Sequence, residues 1–501
     1  MGVASSFGSF LLLAISTPVP GSDGPPSEGP AAIANAATLP AAHLPTPSAP
    51  LTLTTTASAR GPAGPLSLDA LIMEALANNL QVKVTEAQIG EARALLQFAE
   101  AQAYPQASLQ VLFGAPTPEA QTRVLNDIES VTPASLEGDF NFGSLGVSLR
   151  INGQAVQPLY TFGKIDTGKA AARHLVRAAK HQKTVAQAEL VVNVNRAFWA
   201  YQLTQAFLNS LDEGKQTLAG VLDKIEELLE ADSTQVTEND RLRLKYALST
   251  LDVRAAEANQ AARSALRAMR LLLGWPQHRE LTIEKRDLDE IPDEAPSLQS
   301  GLRAAASQRP DLLAIDAVVD AANTFADFRR AGFYPSLFIG GFLDYAFTSN
   351  ATNQTNPFIH DPFNFFTMAA GLGLRVELDI FTKLALLEQA EAQARVRAQQ
   401  AALAVQAVQL EVHNKHIEIN GGYQRIDALE KANRTARGWL TASALAYDIG
   451  TGRADELIDA FLAWAASEAE LQTTRFNTLL NLVDFARATG RLMEAYRTRK
   501  P

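Results

Sequence analysis

The sequence predicts a mostly α-helical chain with a small β part, built from one helical-hairpin unit used twice. Three observations carry this: an internal repeat offset by about 230 residues, very long helical runs free of proline, and four short segments of apolar/polar alternation. The first copy runs from Leu68 through Asn78-Asn79 and Phe98 to Tyr104-Pro105. The second runs from Leu298 through Arg309-Pro310 and Phe328 to Tyr334-Pro335. Repetition on this scale means that one structural unit has been duplicated.

Composition narrows the classes. The 501 residues are 47% hydrophobic and 20% charged, with a formal charge of −10 that disfavours nucleic-acid binding. Cysteine is absent, which excludes disulfides and thiolate metal sites and suits an oxidising compartment. No window reaches the ~20 apolar residues of a membrane-spanning helix. The run Phe7–Ile15 has the length of a signal-peptide core, although no Lys or Arg precedes it. Residues 1–16 are therefore read as a possible signal peptide, the alternative being a mis-set start or a disordered tail. The Pro-, Ala- and Thr-rich residues 17–65 cannot bury a core and are expected to be disordered or loosely draped.

The elements follow in order. Leu68, Leu71, Ile72, Ala75 and Leu76 have helical spacing, with Ser67 or Asp69 as N-cap, and the helix is expected to run to Ala103 before Pro105. Residues 106–113 alternate, with Ala107, Leu109, Val111 and Phe113 on one face. A long loop with Pro116, Pro118 and Pro133 is expected up to about Phe142. The return strand sets Leu145, Val147, Leu149 and Ile151 against Ser148, Arg150 and Asn152. Helix resumes near Phe162 and continues to about Glu230, turns at 231–237, and ends at Leu273 before Gly274-Trp275-Pro276.

The second copy repeats the order: helix 298–333, strand 336–347, polar loop 348–362, and a return strand. That strand alternates Met368, Ala370, Leu372, Leu374 and Val376 with Thr367, Gly371, Gly373 and Arg375. A helix over about 383–447, a turn at Gly450-Thr451-Gly452 and a last helix to Gly490 complete it. The first long helix, about 69 residues, would span ~100 Å. The two shorter helices together match it, so they should stack end to end beside it. The linker 275–297, with acids and prolines, should wrap this midpoint as an equatorial belt, and the tail 491–501 emerges there.

Each expected strand, about 8 to 12 residues, is near the length that crosses a bilayer in a β-barrel. Four strands leave two open edges, which lipid does not tolerate, so other copies must close the barrel. Two copies give about eight strands with a filled interior; three give twelve and a lumen. A homotrimer would supply a hollow α-barrel plus a 12-stranded transmembrane β-barrel, four strands per chain.

Three segments carry a family resemblance. They are Ala-x-x-Tyr-Pro at 101–105 and again at 331–335; Gln157-Pro158-Leu159-Tyr160 with Gly163-Lys164; and Tyr447-Asp448-Ile449-Gly450-Thr451-Gly452-Arg453 followed by Leu457-Ile458-Asp459-Ala460. On these the chain resembles the outer-membrane efflux proteins, the TolC-like exit ducts of Gram-negative bacteria, over about 66–490. The resemblance implies a first efflux repeat at 66–274 and a second at 298–490. It also implies an outer-membrane trimer extending into the periplasm, whose tip docks on a periplasmic adaptor and an inner-membrane transporter of an efflux or type I secretion system. Gln157–Tyr160 would begin the long helix. Glu456 and Asp459 match acids that ring the closed aperture in some members. Tyr447 and Arg453 lie near residues that tie inner and outer coiled coils shut.

Glu456 and Asp459, three apart, share a helix face, and threefold repetition would place six carboxylates at one constriction; the alternative is a solvated face at a turn. Arg150 and Arg375, read as equivalent positions of the two return strands, line the barrel lumen or pair with strand neighbours. His413 and His416 are read as a solvated face rather than a metal pair, so no metal and no cofactor is expected. Gly421-Gly422 marks either a close helix crossing or a bend. The first tip turn lacks the family's glycine, leaving Asp232 or Ser233 to make it. The competing reading is a soluble coiled-coil scaffold or adaptor without a pore, which leaves the amphipathic strands unexplained; an enzyme is a distant third.

Overall fold

The computed structural model describes residues 64–124, 136–231, 236–351, 361, 363–449 and 451–498. The expected signal peptide, nearly all of the draped segment, Asp232, Ser233, Gly450 and the last residues of the tail lie outside them. The chain order is α1 Leu68–Asn78, α2 Leu80–Ala101, β1 Gln106–Val124, β2 Leu136–Tyr160, α3 Lys164–Glu230 and α4 Glu238–Leu272. The second copy follows as α5 Leu298–Gln308, α6 Pro310–Ala331, β3 Ser336–Thr348, β4 Phe365–Arg375, α7 Ile380–Asp448 and α8 Ala454–Ala488, with a short α9 Leu492–Thr498.

The duplication extends to lengths: α1 and α5 each have 11 residues, α2 and α6 22, α4 and α8 35. The long helices α3 and α7 have 67 and 69 residues. Helix α3 packs on α2 and α6 along one half and on α4 and α8 along the other; α7 packs on α6 and α8.

Each expected helix before a strand is in fact two. The first breaks at Asn79, whose ψ of 131° leaves the helical region and whose side-chain oxygen caps Gln81 and Val82. The second breaks at Arg309 because Pro310 excludes the α region from the residue before it. Periodicity carries through both breaks, which hides them from a pattern reading.

The two breaks are bound in the same way. Asn79 Nδ2 donates to the Leu272 carbonyl at 2.8 Å, and Arg309 Nη1 donates to the Ala488 carbonyl at 3.2 Å. Leu272 and Ala488 are the final residues of α4 and α8. Each is followed two residues on by a glycine at positive φ, Gly274 at 65° and Gly490 at 77°. A Cβ there would lie 2.6 Å from the Asn78 oxygen, or 2.7 Å from the Gln308 oxygen. Upper and lower short helices thus meet end to end at a glycine closure in both copies, beside the middle of a long helix.

The linker packs across the helices near their middle. Leu66 bridges to Ile283, and Trp275, Leu281 and Ile283 are buried with Leu71, Ile72, Val191, Phe198 and Met269. It crosses mid-α3, where Trp199 Nε1 donates to Asp289 at 2.9 Å and the Arg286 amide donates to Gln202 Oε1 at 3.1 Å. It then reaches α7, whose Tyr423 hydroxyl donates to the Pro292 carbonyl.

The four strands form one antiparallel sheet in the order β1-β2-β3-β4. The first hairpin is longer than predicted, 19 and 25 residues against 13 and 11 in the second. The prolines read as ending β1 sit at irregularities instead: pairing shifts between Gly114 and Thr117 and again between Pro118 and Glu119, then continues to Val124. Bulges and sheet edges tolerate proline. At the other end Gln157 and Pro158 pair with Ile339 and Phe338, and Tyr160 pairs with Leu337. This segment therefore ends β2 rather than beginning α3.

Gly421-Gly422 does not interrupt α7. Gly422 permits the close crossing, since a Cβ there would run into the Thr478 side chain of α8, whereas Gly421 faces open space.

Candidate functional site

Strand register gives the sheet two chemically distinct faces. Antiparallel partners point the same way, so Leu109, Val111 and Phe113 of β1 share a face with Leu149 and Ile151 of β2. That face continues through Phe347, Tyr345, Leu343, Ile339 and Leu337 of β3 to Phe366, Met368, Leu372 and Leu374 of β4. Most of it is uncovered: Leu109 is 70% exposed, Phe113 83% and Leu372 73%. Water-exposed sheets do not leave a continuous apolar surface of this size unpartnered.

The opposite face carries Ser108, Gln110, Ser148, Arg150, Asn152, Gln154, Asp344, Thr367 and Arg375, together with small residues and Leu112, Phe338, Phe342 and Phe365. Asn152 Nδ2 donates to Asp344. Both predicted arginines lie here, but not at equivalent positions: Arg150 pairs with Leu112 and Ala346, whereas Arg375 pairs with Ser336 at the foot of the sheet. Aromatic residues gather where sheet passes into helix. Phe162 stacks on Tyr334 with ring centroids 6.0 Å apart and meets Tyr160 edge-on at 4.6 Å, and Tyr104 and Tyr334 are exposed.

The far end of the helices is a second candidate site. The α3–α4 and α7–α8 hairpins share an apolar cluster of Leu218, Ile225, Leu244, Tyr447, Leu457 and Phe461. Tyr447 is buried with its hydroxyl lacking a hydrogen-bond partner. Burial, then the nearby Asp240 and Asp448 carboxylates, push that hydroxyl above the usual tyrosine range. Lys224 of α3 lies 5.7 Å from the Tyr447 ring centre and pairs with Asp448 of α7 at 3.1 Å. Arg453 pairs with Asp455 two residues on, at 2.6 Å, so its closest partner is in its own hairpin; Asp455 also faces Arg243 of α4 at 3.9 Å. Glu456 and Asp459 are exposed, while their neighbours Leu457, Ile458 and Ala460 are buried.

The cross-hairpin contacts of Lys224, Asp448, Arg243 and Asp455 escape sequence reasoning. Lys224 and Asp448 are separated by more than two hundred residues, and each is an ordinary charge on an ordinary helix. The turn itself is closed by Thr451 and Gly452 amides donating to the Ala446 carbonyl at 3.0 and 2.8 Å.

His413 is exposed, but His416 is not part of a solvated face: it is half-buried, its ring 6.5 Å from that of Phe485 and its Nε2 3.0 Å from Asn420 Nδ2. Beside it, Glu411 lies between Arg309 and Arg487, each at 2.6 Å. This cluster ties the α5–α6 break to α7 and α8. Burial raises the Glu411 carboxyl, but the two guanidinium groups outweigh it and hold it below the ordinary glutamate value.

The geometry has counterparts. The model of the family described as outer membrane efflux protein matches residues 301–491. That stretch takes in nearly all of the second copy. The elements within it, α5 to α8 with β3 and β4, are those the first copy duplicates in length and closure. Among curated relatives, the outer membrane protein TolC of Vibrio cholerae is 22% identical over 335 residues, covering 66% of this chain and 73% of TolC. The cation efflux system protein CusC of Escherichia coli K12 is 24% identical, covering 53% of each chain. Among solved structures, the outer-membrane channel OprN superposes with a TM-score of 0.68 at 19% identity, over 84% of this chain and 89% of OprN. The likeness in fold to OprN therefore extends well beyond residues 301–491 into the first copy.

Proposed function

We propose that this chain is an exit duct of the outer membrane, spanning that membrane with its sheet and the periplasm with its helices. The apolar face supports this above all: it runs unbroken over four strands, on a chain in which no described helix is long and apolar enough to cross a membrane. Lipid is the solvent that such a face fits, with the aromatic cluster at its helical border taking the interfacial position.

Within this reading the outer edges of β1 and β4, unpaired among the described residues, cannot remain open in lipid. Three chains close them into a barrel of about twelve strands with a lumen. The polar face then lines that lumen, with Arg150 and Arg375 on it. Helices α3 and α7, each ~100 Å long, continue the wall as a hollow α-barrel. Cargo passes down its gradient through the open tube. A periplasmic adaptor docks at the tip, and an inner-membrane transporter selects the cargo and supplies the energy.

The tip is the gate. Tyr447 packed between hairpins, with the Lys224–Asp448 and Arg243–Asp455 contacts, holds them together; separating them opens the aperture. Exposed Glu456 and Asp459, repeated three times, ring the constriction and select against anions. The soluble-scaffold alternative leaves the apolar sheet face without a purpose, and each hairpin turn is too short to hold an adaptor's β-domain.

Planar-bilayer recording of detergent-purified protein tests the reading. Discrete conductance steps are expected. Protein that fractionates without membrane and passes no current overturns it.

A further inference from the structure

The polar sheet face carries an arrangement that the duct reading alone does not require. Arg150 does not extend freely: its guanidinium carbon lies 5.8 Å from the centre of the Phe365 ring. The two residues are not strand neighbours. Arg150 pairs with Ala346, and Ala346 pairs with Phe365, so the side chain reaches across one strand over a buried alanine methyl. The second arginine repeats the device. Arg375 lies 5.2 Å from the Phe338 ring centre. Phe338 pairs with Gly373, two residues before Arg375, and a Cβ at Gly373 would collide with the ring. In both places a small residue makes room for a phenylalanine on the water side of the sheet, and an arginine rests on it.

A guanidinium held on an aromatic face keeps its charge and loses rotamer freedom, while its N–H groups stay available. Ala346 and Ser336, the β3 partners of the two arginines' rows, are ten residues apart, so the levels stand ~30 Å from each other along the strand. Where the register is continuous, over the described residues 106–114, 148–158, β3 and β4, the only other charge on this face is Asp344, which already accepts a hydrogen bond from Asn152. This part of the sheet therefore presents two arginines and one acid.

We propose that Arg150 on Phe365 and Arg375 on Phe338 are specificity determinants of the duct, two arginine rings that favour anions and anionic groups of cargo in the barrel. The proposal rests on the duct reading, since only a closed barrel turns this face into a lumen. It gives the barrel a preference opposite to that of the acidic tip.

Reversal potentials under a KCl gradient in planar bilayers test it. Replacing both residues, Arg150→Gln with Arg375→Gln, is expected to lower the chloride-to-potassium permeability ratio by about twofold or more. Each single change should move the ratio the same way, and Arg150→Lys with Arg375→Lys, which keeps the charges, should leave it near wild type. A purely structural role for the pairs predicts the reverse: an unchanged ratio in conducting Gln variants, which overturns the proposal alone. Wild-type protein that passes no current overturns the duct reading and this inference with it.

Discussion

Glu411 shows how much a single residue holds here. Its carboxylate joins Arg309, at the helix break, to Arg487, near the end of α8, and the Arg309 side chain is only 9% exposed. Removing the acid leaves a buried guanidinium with less compensation, so Glu411→Gln is expected to destabilise the fold by about 2–4 kcal/mol. The carboxyl is held below its unfolded value in the folded chain. Its contribution is thus present above the unfolded glutamate pKa and is lost as pH falls through the lower folded value. Thermal unfolding at stepped pH should show the wild type losing stability on acidification more steeply than Glu411→Gln. Parallel curves would remove Glu411 from the acid response. At the tip, Glu456→Ala with Asp459→Ala should weaken block of the current by divalent cations, and unchanged block would remove both residues from the constriction.

At the scale of elements, two glycines close the two end-to-end helix joints. Gly274→Ala or Gly490→Ala must hold a side chain at positive φ against a backbone carbonyl, a cost of about 1–3 kcal/mol per site. A melting temperature unchanged in both variants would show that the joints are not rigid. On the sheet, Met368→Arg places a charge on the apolar face and should destabilise the protein in lipid by about 2–4 kcal/mol near the bilayer midplane; the same residue placed at Thr367, on the other face, should cost far less. The faces of these strands were legible in sequence, because alternation has a period of two and register preserves it. The long-helix lengths and the duplication were legible for the same reason: each is a long pattern. The breaks at Asn79 and Arg309 were not, since an end-to-end joint preserves helical phase closely enough to read as one helix. Nor was the extension of β1 past Pro116 and Pro118, where bulges absorb residues that usually end a strand. The cross-hairpin contacts at the tip were illegible for another reason. Lys224 meets Asp448 only through tertiary packing, and no local pattern marks either.

For the whole molecule, one copy of the chain leaves much apolar surface uncovered. Its sheet is apolar on the face away from the polar row and, among the described residues, open at both edges, and its long helices carry exposed apolar residues such as Leu403, Leu410 and Ile417 on α7. Closure by three copies is the claim on which lumen, gate and selectivity all depend. The natural absence of cysteine makes it directly testable, because introduced thiols have no competitors. Ser108→Cys on β1 and Thr367→Cys on β4 lie on the same face of the sheet at opposite edges. Treating intact membranes of the double variant with a flexible thiol-reactive cross-linker should yield dimers and trimers on a denaturing gel and nothing larger. Only internally linked monomers, or a ladder that continues past three, would contradict the account.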